Sequence, residues 1–166
     1  MPGQLDSVTV RAACVLRGTD GSTIQGTIQF SQIIGINQLK MTGEFQGLPV
    51  DRKLTVHIHE FGDLTNGPNS TGNRFNPEKK TLMSSKDQFL PTDDIGYLQV
   101  NAEGQAKVDF LDKRSTLFGP QSIIGRSLVL IDEKDDDLSR PETEEGKGSV
   151  SSSTNRLAAG VIGICQ

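Results

Sequence analysis

Short β-prone segments separated by turn residues constrain the fold of this 166-residue chain more than any other feature. Most alternate apolar and polar side chains or carry β-branched residues, which is typical of half-buried strands. They are residues 7–17, 22–32, 37–47, 53–61, 96–112, 123–132 and 156–166. The 96–112 segment is predicted to be a hairpin turned at Asn-Ala-Glu-Gly. About eight strands without helical periodicity predict a single all-β domain over 1–166, a sandwich or a Greek-key barrel.

Two long connections interrupt the regular spacing of predicted strands, at residues 62–94 and 133–155. Both are rich in Gly, Pro, Ser, Asn and charged residues. Loops of this length in a compact domain are usually either functional or disordered. Because both border strands that could carry a site, we expect them to be functional.

Charge and composition exclude several classes of protein. The net charge is −4, and the Lys and Arg residues are scattered, which argues against nucleic-acid binding. The first ten residues lack the features of a signal peptide, and no apolar run approaches the roughly 20 residues that span a bilayer. We therefore expect a soluble, cytoplasmic protein without a membrane partner. Cys14 and Cys165 lie in apolar runs, which predicts buried, reduced thiols.

His57 and His59 are the only two histidines in the chain. Alternation along residues 54–59 predicts that the apolar residues face the core and that both imidazoles point outward on the surface. Their Cα atoms would lie roughly 6.6 Å apart, close enough for two rings to bind one metal ion. The pair alone indicates either a metal site or two polar residues on a solvent-facing strand.

Residues 57–77, "HIHEFGDLTNGPNSTGNRFNP", resemble the signature of copper/zinc superoxide dismutases. Four further blocks are similar to that family, in its order and over nearly the full chain. They are "CVLRG" (14–18), "IQGTIQF" (24–30), "IIGRSLVLIDEKDDDL" (123–138) and "RLAAGVIGICQ" (156–166). The resemblance implies a flattened eight-stranded Greek-key barrel of immunoglobulin-like sandwich type. It also implies a metal-binding loop at 62–94 and an electrostatic loop at 133–155.

The resemblance implies copper and zinc sites that together need six histidines and one aspartate. His57 and His59 match the first two copper ligands, and Asp94 matches the zinc aspartate. The other ligand positions are occupied by Arg74, Leu82, Pro91 and either Ile131 or Asp132. Arg74 takes the position of the histidine that bridges the two metals. Relative to the family, one residue is inserted near the last copper position, so the histidine there corresponds to either Ile131 or Asp132. Asp132 is therefore a further candidate copper ligand.

Zinc binding is not expected in this chain. Tetrahedral zinc needs about four N, O or S ligands, and a single carboxylate beside Leu82 and Pro91 does not supply them. The guanidinium of Arg74 stays charged and repels a bound cation. No cofactor is firmly predicted, but His57 and His59, with help from Asp132, could hold copper weakly.

Arg156 matches the arginine that guides superoxide in the family. The same side chain could instead tether the neighbouring loop through its fixed donors, and we favour this structural role. The resemblance also implies dimer contacts. These are Phe61–Gly62–Asp63, Ile124–Gly125 and Val161–Ile162–Gly163–Ile164.

These residues predict a superoxide dismutase-like pseudoenzyme that acts as a dimeric scaffold or weak copper binder in superoxide and copper metabolism. One alternative is an enzyme, a degenerate copper-only dismutase with residual antioxidant activity through His57 and His59. Another is a copper-chaperone-like module that forms a heterodimer with an active dismutase. The expected partner is thus a second copy of the chain or a copper/zinc superoxide dismutase.

Overall fold

A computed structural model describes residues 7–19, 21–77, 98–133 and 156–166 of the chain. Every regular element in these ranges is a β-strand. The strands are β1 (Thr9–Gly18), β2 (Gln25–Ile33), β3 (Leu39–Gln46), β4 (Leu54–His59), β5 (Thr65–Pro68), β6 (Ala106–Asp112), β7 (Ser127–Asp132) and β8 (Arg156–Cys165). The predicted all-β class is confirmed.

Seven strands form one antiparallel sheet in the order β4-β7-β8-β1-β2-β3-β6. The sheet curls around a single apolar core, as expected for the predicted barrel. Strands β1, β2, β3 and β6 bury roughly every second side chain because successive residues point to opposite faces, whereas every residue of β4 is buried. The largest fully buried residues include Leu16, Ile28, Phe30, Phe45, Leu128 and Ile162.

The structure differs from the predicted hairpin at 96–112. The turn forms, since the Asn101 carbonyl accepts from Gly104 N at 3.1 Å and its Oδ1 accepts from Gln105 N at 2.8 Å. Among the described residues 98–112, however, only the second arm is a strand, and Leu98 N instead donates to the Leu54 carbonyl of β4 at 2.8 Å. The eighth strand is β5, which lies against β8 and which its Thr-Asn-Gly-Pro sequence did not predict.

The chain after β4 folds back along the free edge of that strand. Phe75 N donates to the Ile58 carbonyl at 2.7 Å, and Glu60 N donates to the Asn73 carbonyl at 2.9 Å. An antiparallel bridge joins His59 to Arg74. Residues 60–75 therefore cover β4 on the side away from β7.

Arg126 fixes this covering segment to the rest of the barrel. Its Nη1 donates to the Glu60 carbonyl at 2.9 Å and its Nε donates to the Ser122 carbonyl at 3.1 Å. Its guanidinium also lies 3.8 Å from the centre of the Phe75 ring, a cation–π contact. One side chain thus joins three separate parts of the chain.

The two cysteines differ in burial. Cys14 is buried in the core, as predicted, and burial raises the pKa of its thiol to about 12. The expected burial of Cys165 is wrong, because that residue is exposed at the end of β8. Within the described ranges, no helix is long and apolar enough to cross a membrane.

Leu128 of β7 offers a test of the core. Leu128 is fully buried, and we expect Leu128→Ala to lower the free energy of unfolding by about 2–5 kcal/mol because a cavity replaces its side chain. The matched control is the exposed Leu111, where the same change should cost no more than about 0.5 kcal/mol. Urea denaturation at one protein concentration measures the free energy of unfolding of both variants. Equal losses in the two would contradict the burial of Leu128 in the core.

Candidate metal centre

The outer side of β4 carries Thr55, His57 and His59, and the expectation that the imidazoles are exposed there is wrong. His57 is 3% exposed and His59 is 1% exposed. The alternation along β4 is as predicted, but residues 60–75 and Glu133 cover its outer face. The candidate site is therefore enclosed within the protein.

His57 belongs to a small buried network. Its Nε2 lies 3.1 Å from Thr55 Oγ1 and 3.4 Å from Glu133 Oε1. Thr55 Oγ1 in turn donates to Glu133 Oε1 at 2.9 Å. Glu133 follows β7 directly and reaches this position from across the β4–β7 pair.

His59 is held by the covering segment. Its Nδ1 lies 3.0 Å from the Gly72 carbonyl and 3.3 Å from Thr71 Oγ1. Thr71 is fully buried and donates to the Pro68 carbonyl at 2.8 Å. The orientation of the His59 ring thus depends on the position of residues 68–72.

Both imidazoles are neutral at physiological pH. Burial lowers the pKa of His57 to about 4, although a hydrogen bond to Glu133 opposes the shift. Burial likewise lowers the pKa of His59 to about 3. Its bond to the Gly72 carbonyl opposes this shift, whereas the charges of Arg156 and Arg74 add to it. Burial also opposes ionisation of Glu133, but bonds from His57 and Thr55 outweigh it and lower the pKa of that carboxyl.

Buried polar atoms on this face of the sheet that have no hydrogen-bond partner include His57 Nδ1, His59 Nε2, Ser127 Oγ and Arg156 Nε. Ser127 lies directly across from His59 in the β4–β7 register, so the two side chains share a face. Buried polar atoms are nearly always paired, and a set of unpaired ones on one face is a reason to expect a missing ligand. Neutral imidazole nitrogen is a common ligand of copper and zinc.

The donor set fits one weakly held ion but not two metals. In the part of the chain that the structure describes, no group of three or more His, Cys, Asp or Glu side chains could hold a metal. Two imidazoles suit cuprous copper, which tolerates few ligands. Leu82, Pro91 and Asp94, which occupy predicted zinc positions, lie outside the described residues.

Asp132 does not join the histidines as the sequence suggested. The register pairs Asp132 with Leu54, so its side chain lies on the core-facing side of the sheet. Its Oδ2 accepts from Arg52 Nη1 at 2.6 Å. Ile131 pairs with Thr55 instead and shares the face of the histidines, while the carboxylate beside His57 belongs to Glu133.

Arg74 and Arg156 bring positive charge to this site. The charge of Arg74 lowers the pKa of both histidines and of Glu133. Arg156 Nη1 donates to the Pro68 carbonyl at 3.0 Å and to Thr71 Oγ1 at 3.1 Å. Arg156 therefore connects β8 to the segment that orients His59.

Three of the residues expected at a dimer surface, Gly62, Gly125 and Val161, lie close together. A Cβ on Gly62 would collide with the carbonyl oxygen of Gly125 and approach Val161 Cγ1 to 3.0 Å. Phe61 is 56% exposed and Ile164 is 71% exposed. Ile162 is fully buried in the core, so its side chain does not reach this surface, while Asp63 and Gly125 are exposed and Ile124 and Gly163 are half-buried.

Sequence reasoning missed Thr55, Thr71, Ser127 and Glu133. Of these four residues, only Thr55 could have been found from the sequence, because it stands two residues before His57 and therefore on the same face of the strand. The other three reach the site through pairing with β7 or through the fold of residues 60–75, which the local sequence does not reveal.

Comparison with known proteins gives a consistent result. A family model described as copper/zinc superoxide dismutase (SODC) matches residues 24–162. A superoxide dismutase (Cu-Zn) of Cryptococcus neoformans var. grubii is 42% identical over 93% of this chain and 98% of its own length. Proteins of the same name from Schizosaccharomyces pombe and Saccharomyces cerevisiae are 39% and 37% identical, with the same coverage.

The buried neutral histidines predict a loss of stability in acid. Between pH 6.5 and about 4 the unfolded chain takes up protons that the folded chain excludes, so the free energy of unfolding falls as the pH falls. Each histidine contributes a slope of up to about 1.4 kcal/mol per pH unit. Urea denaturation between pH 7 and pH 5 measures this slope (roughly the window set by histidine titration).

The control compares slopes rather than absolute stabilities. His57→Gln and His59→Gln should each remove about half of the wild-type slope, since these are the only two histidines in the chain. A slope that neither substitution changes would show that the rings are not buried in the neutral form.

Proposed function

Because this chain belongs to the copper/zinc superoxide dismutase family, we propose that it is a non-catalytic member that binds one cuprous ion weakly. The observation that supports this most directly is the pair of buried ring nitrogens, His57 Nδ1 and His59 Nε2, that lack a partner. They are the ligands that would hold the ion, and Ser127 Oγ stands on the same face.

The charges around the two histidines favour copper in its lower oxidation state, Cu(I). Both imidazoles are neutral ligands, and Arg74 and Arg156 place positive charge near them. Coulomb repulsion by a guanidinium doubles when a monovalent ion becomes divalent. Two-ligand copper sites also suit the cuprous ion, which tolerates low coordination numbers.

Copper, when bound, supplies one-electron redox chemistry in this family, and turnover needs further groups that this chain has replaced. The position implied for the bridging histidine holds Arg74, whose guanidinium does not exchange a proton near neutral pH. The implied zinc positions hold Leu82 and Pro91, which have no ligand atom in their side chains. We therefore propose that dismutation is lost while a copper-binding remnant persists.

We assign Arg156 a structural role in the same proposal. Its Nη1 already donates to Pro68 and Thr71, and Thr71 contacts His59. A guanidinium held in this way orders the segment that positions the second histidine. In a working dismutase the same charge would attract an anion, but that role needs a redox-active metal beside it.

A homodimer is the second part of the proposal. Phe61, Val161 and Ile164 are exposed apolar side chains, and the lack of a Cβ on Gly62 lets its segment approach the Gly125 carbonyl closely. Contiguous exposed apolar surface in a folded chain generally marks a contact site. A heterodimer with an active dismutase would use the same surface and belongs to the chaperone-like alternative.

Copper binding and activity test the first part. We expect purified protein to bind one equivalent of Cu(I) in competition with a chromogenic chelator, and His57→Gln or His59→Gln to abolish this binding. The dismutation rate of the loaded protein, separated from unbound copper, should not exceed that of the metal-free protein. Glu44→Gln, an exposed site on β3, is the control and should bind copper like wild type.

Two results would redirect the interpretation. Dismutation well above the rate of the metal-free protein that disappears in His57→Gln would support the degenerate copper-only enzyme instead. Absence of Cu(I) binding in folded wild-type protein would remove the copper-binding role altogether.

A pair of valine substitutions tests the dimer. Val161→Glu places a charge on the proposed surface and should convert a dimer to a monomer in sedimentation velocity. Val15→Glu adds the same charge at an exposed position of β1 and should leave the dimer intact. A wild-type protein that is monomeric at all concentrations, and that pairs only with an added dismutase, would favour the chaperone-like alternative.

A further inference from the structure

We propose that Thr55 and Glu133 are positioning residues that fix the ring tautomer of His57, so that its Nδ1 is left without hydrogen on the face of β4 that also carries His59. The functional consequence rests on the proposed copper site. The tautomers themselves are properties of the metal-free protein and can be measured without copper.

The hydroxyl of Thr55 determines which nitrogen of His57 carries hydrogen. A hydroxyl has one hydrogen, and Thr55 donates it to Glu133 Oε1 at 2.9 Å. Toward His57 Nε2, which lies 3.1 Å away, Thr55 Oγ1 can then only accept. The ionised Glu133 Oε1, 3.4 Å from Nε2, is also an acceptor. Nε2 therefore carries the hydrogen, and Nδ1 has a free lone pair.

The surroundings of His59 impose the opposite tautomer. Its Nδ1 lies 3.0 Å from the Gly72 carbonyl, which can only accept a hydrogen bond. Thr71 Oγ1, 3.3 Å away, donates its hydrogen to the Pro68 carbonyl and so also acts as an acceptor here. Nδ1 of His59 therefore carries the hydrogen, and Nε2 has the free lone pair.

The two lone-pair nitrogens are the two ring atoms that lack a partner. If either carried hydrogen, a buried N–H would face no acceptor, an arrangement that folded proteins avoid. If both nitrogens carry lone pairs instead, the two rings of the metal-free protein are already in the form that can bind a soft cation. Glu133 and Thr55 do not contact the ion in this arrangement, and they act on it only through His57.

A carboxylate that accepts from a metal-binding imidazole is a common way to orient the ring and strengthen it as a ligand. Here the carboxylate comes from Glu133, one residue beyond the candidate ligand Asp132. Glu133 thus stands on the face of His57 as a positioning group rather than a ligand.

The test is a long-range proton–nitrogen correlation spectrum of metal-free protein with labelled histidine. Wild type should show a protonated Nε2 and a bare Nδ1 at His57, and the reverse at His59. Spectra of His57→Gln and His59→Gln assign the two rings. In the double variant Thr55→Val/Glu133→Leu, His57 should become a mixture of both tautomers, while His59 stays unchanged as an internal control.

Glu44→Leu matches the loss of a glutamate at an exposed site and should leave both rings as in wild type. If the double variant does not fold, the isosteric single variants Thr55→Val and Glu133→Gln take its place, with smaller shifts toward the mixture. A wild-type His57 protonated at Nδ1 would overturn the proposal. So would folded variants that all retain the wild-type tautomer.

Copper affinity separates this inference from the proposed function. If both hold, the double variant should bind Cu(I) roughly 10–100-fold more weakly than wild type. The predicted tautomers without any Cu(I) binding would refute the copper proposal and leave the positioning role standing. Cu(I) binding of equal affinity in wild type and a folded double variant would refute the positioning role alone.

Discussion

Burial of both faces of β4 obliges every polar side chain on its outer side to find a partner inside the protein. One face packs into the core through Leu54, Val56 and Ile58. The other is covered by residues 60–75, which Arg126 fastens to the barrel. The network around His57, the carbonyl beside His59 and the neutral state of both rings all follow from that enclosure.

The same enclosure holds both histidine rings in fixed orientations. Polar contacts from Thr55, Glu133 and Gly72 satisfy one nitrogen of each ring without any metal. The two other nitrogens lack partners. Arg74, close enough to influence both rings, supplies a fixed positive charge in the position where the family resemblance implies a bridging ligand.

Much of the fold, and less of the site, could be predicted from the sequence. Strand periodicity located the seven strands of the sheet, because alternation is a local property. It missed β5, whose turn-like residues carry no such signal, and it could not foresee that a distant segment buries His57 and His59. The last ligand position, which the sequence left to Ile131 or Asp132, also depended on register, since a shift of one residue moves a side chain to the opposite face. Cys165 shows the same limit, because apolar neighbours do not reveal that a strand is ending.

The segment that covers β4 has a consequence for association with other molecules. An uncovered outer strand offers a row of backbone donors and acceptors that can recruit another polypeptide and start aggregation. On β4 the carbonyls of Ile58 and Leu54 are already taken by Phe75 and Leu98 of the same chain. These bonds join backbone groups of one chain, so this margin of the sheet is closed to intermolecular strand addition at both carbonyls.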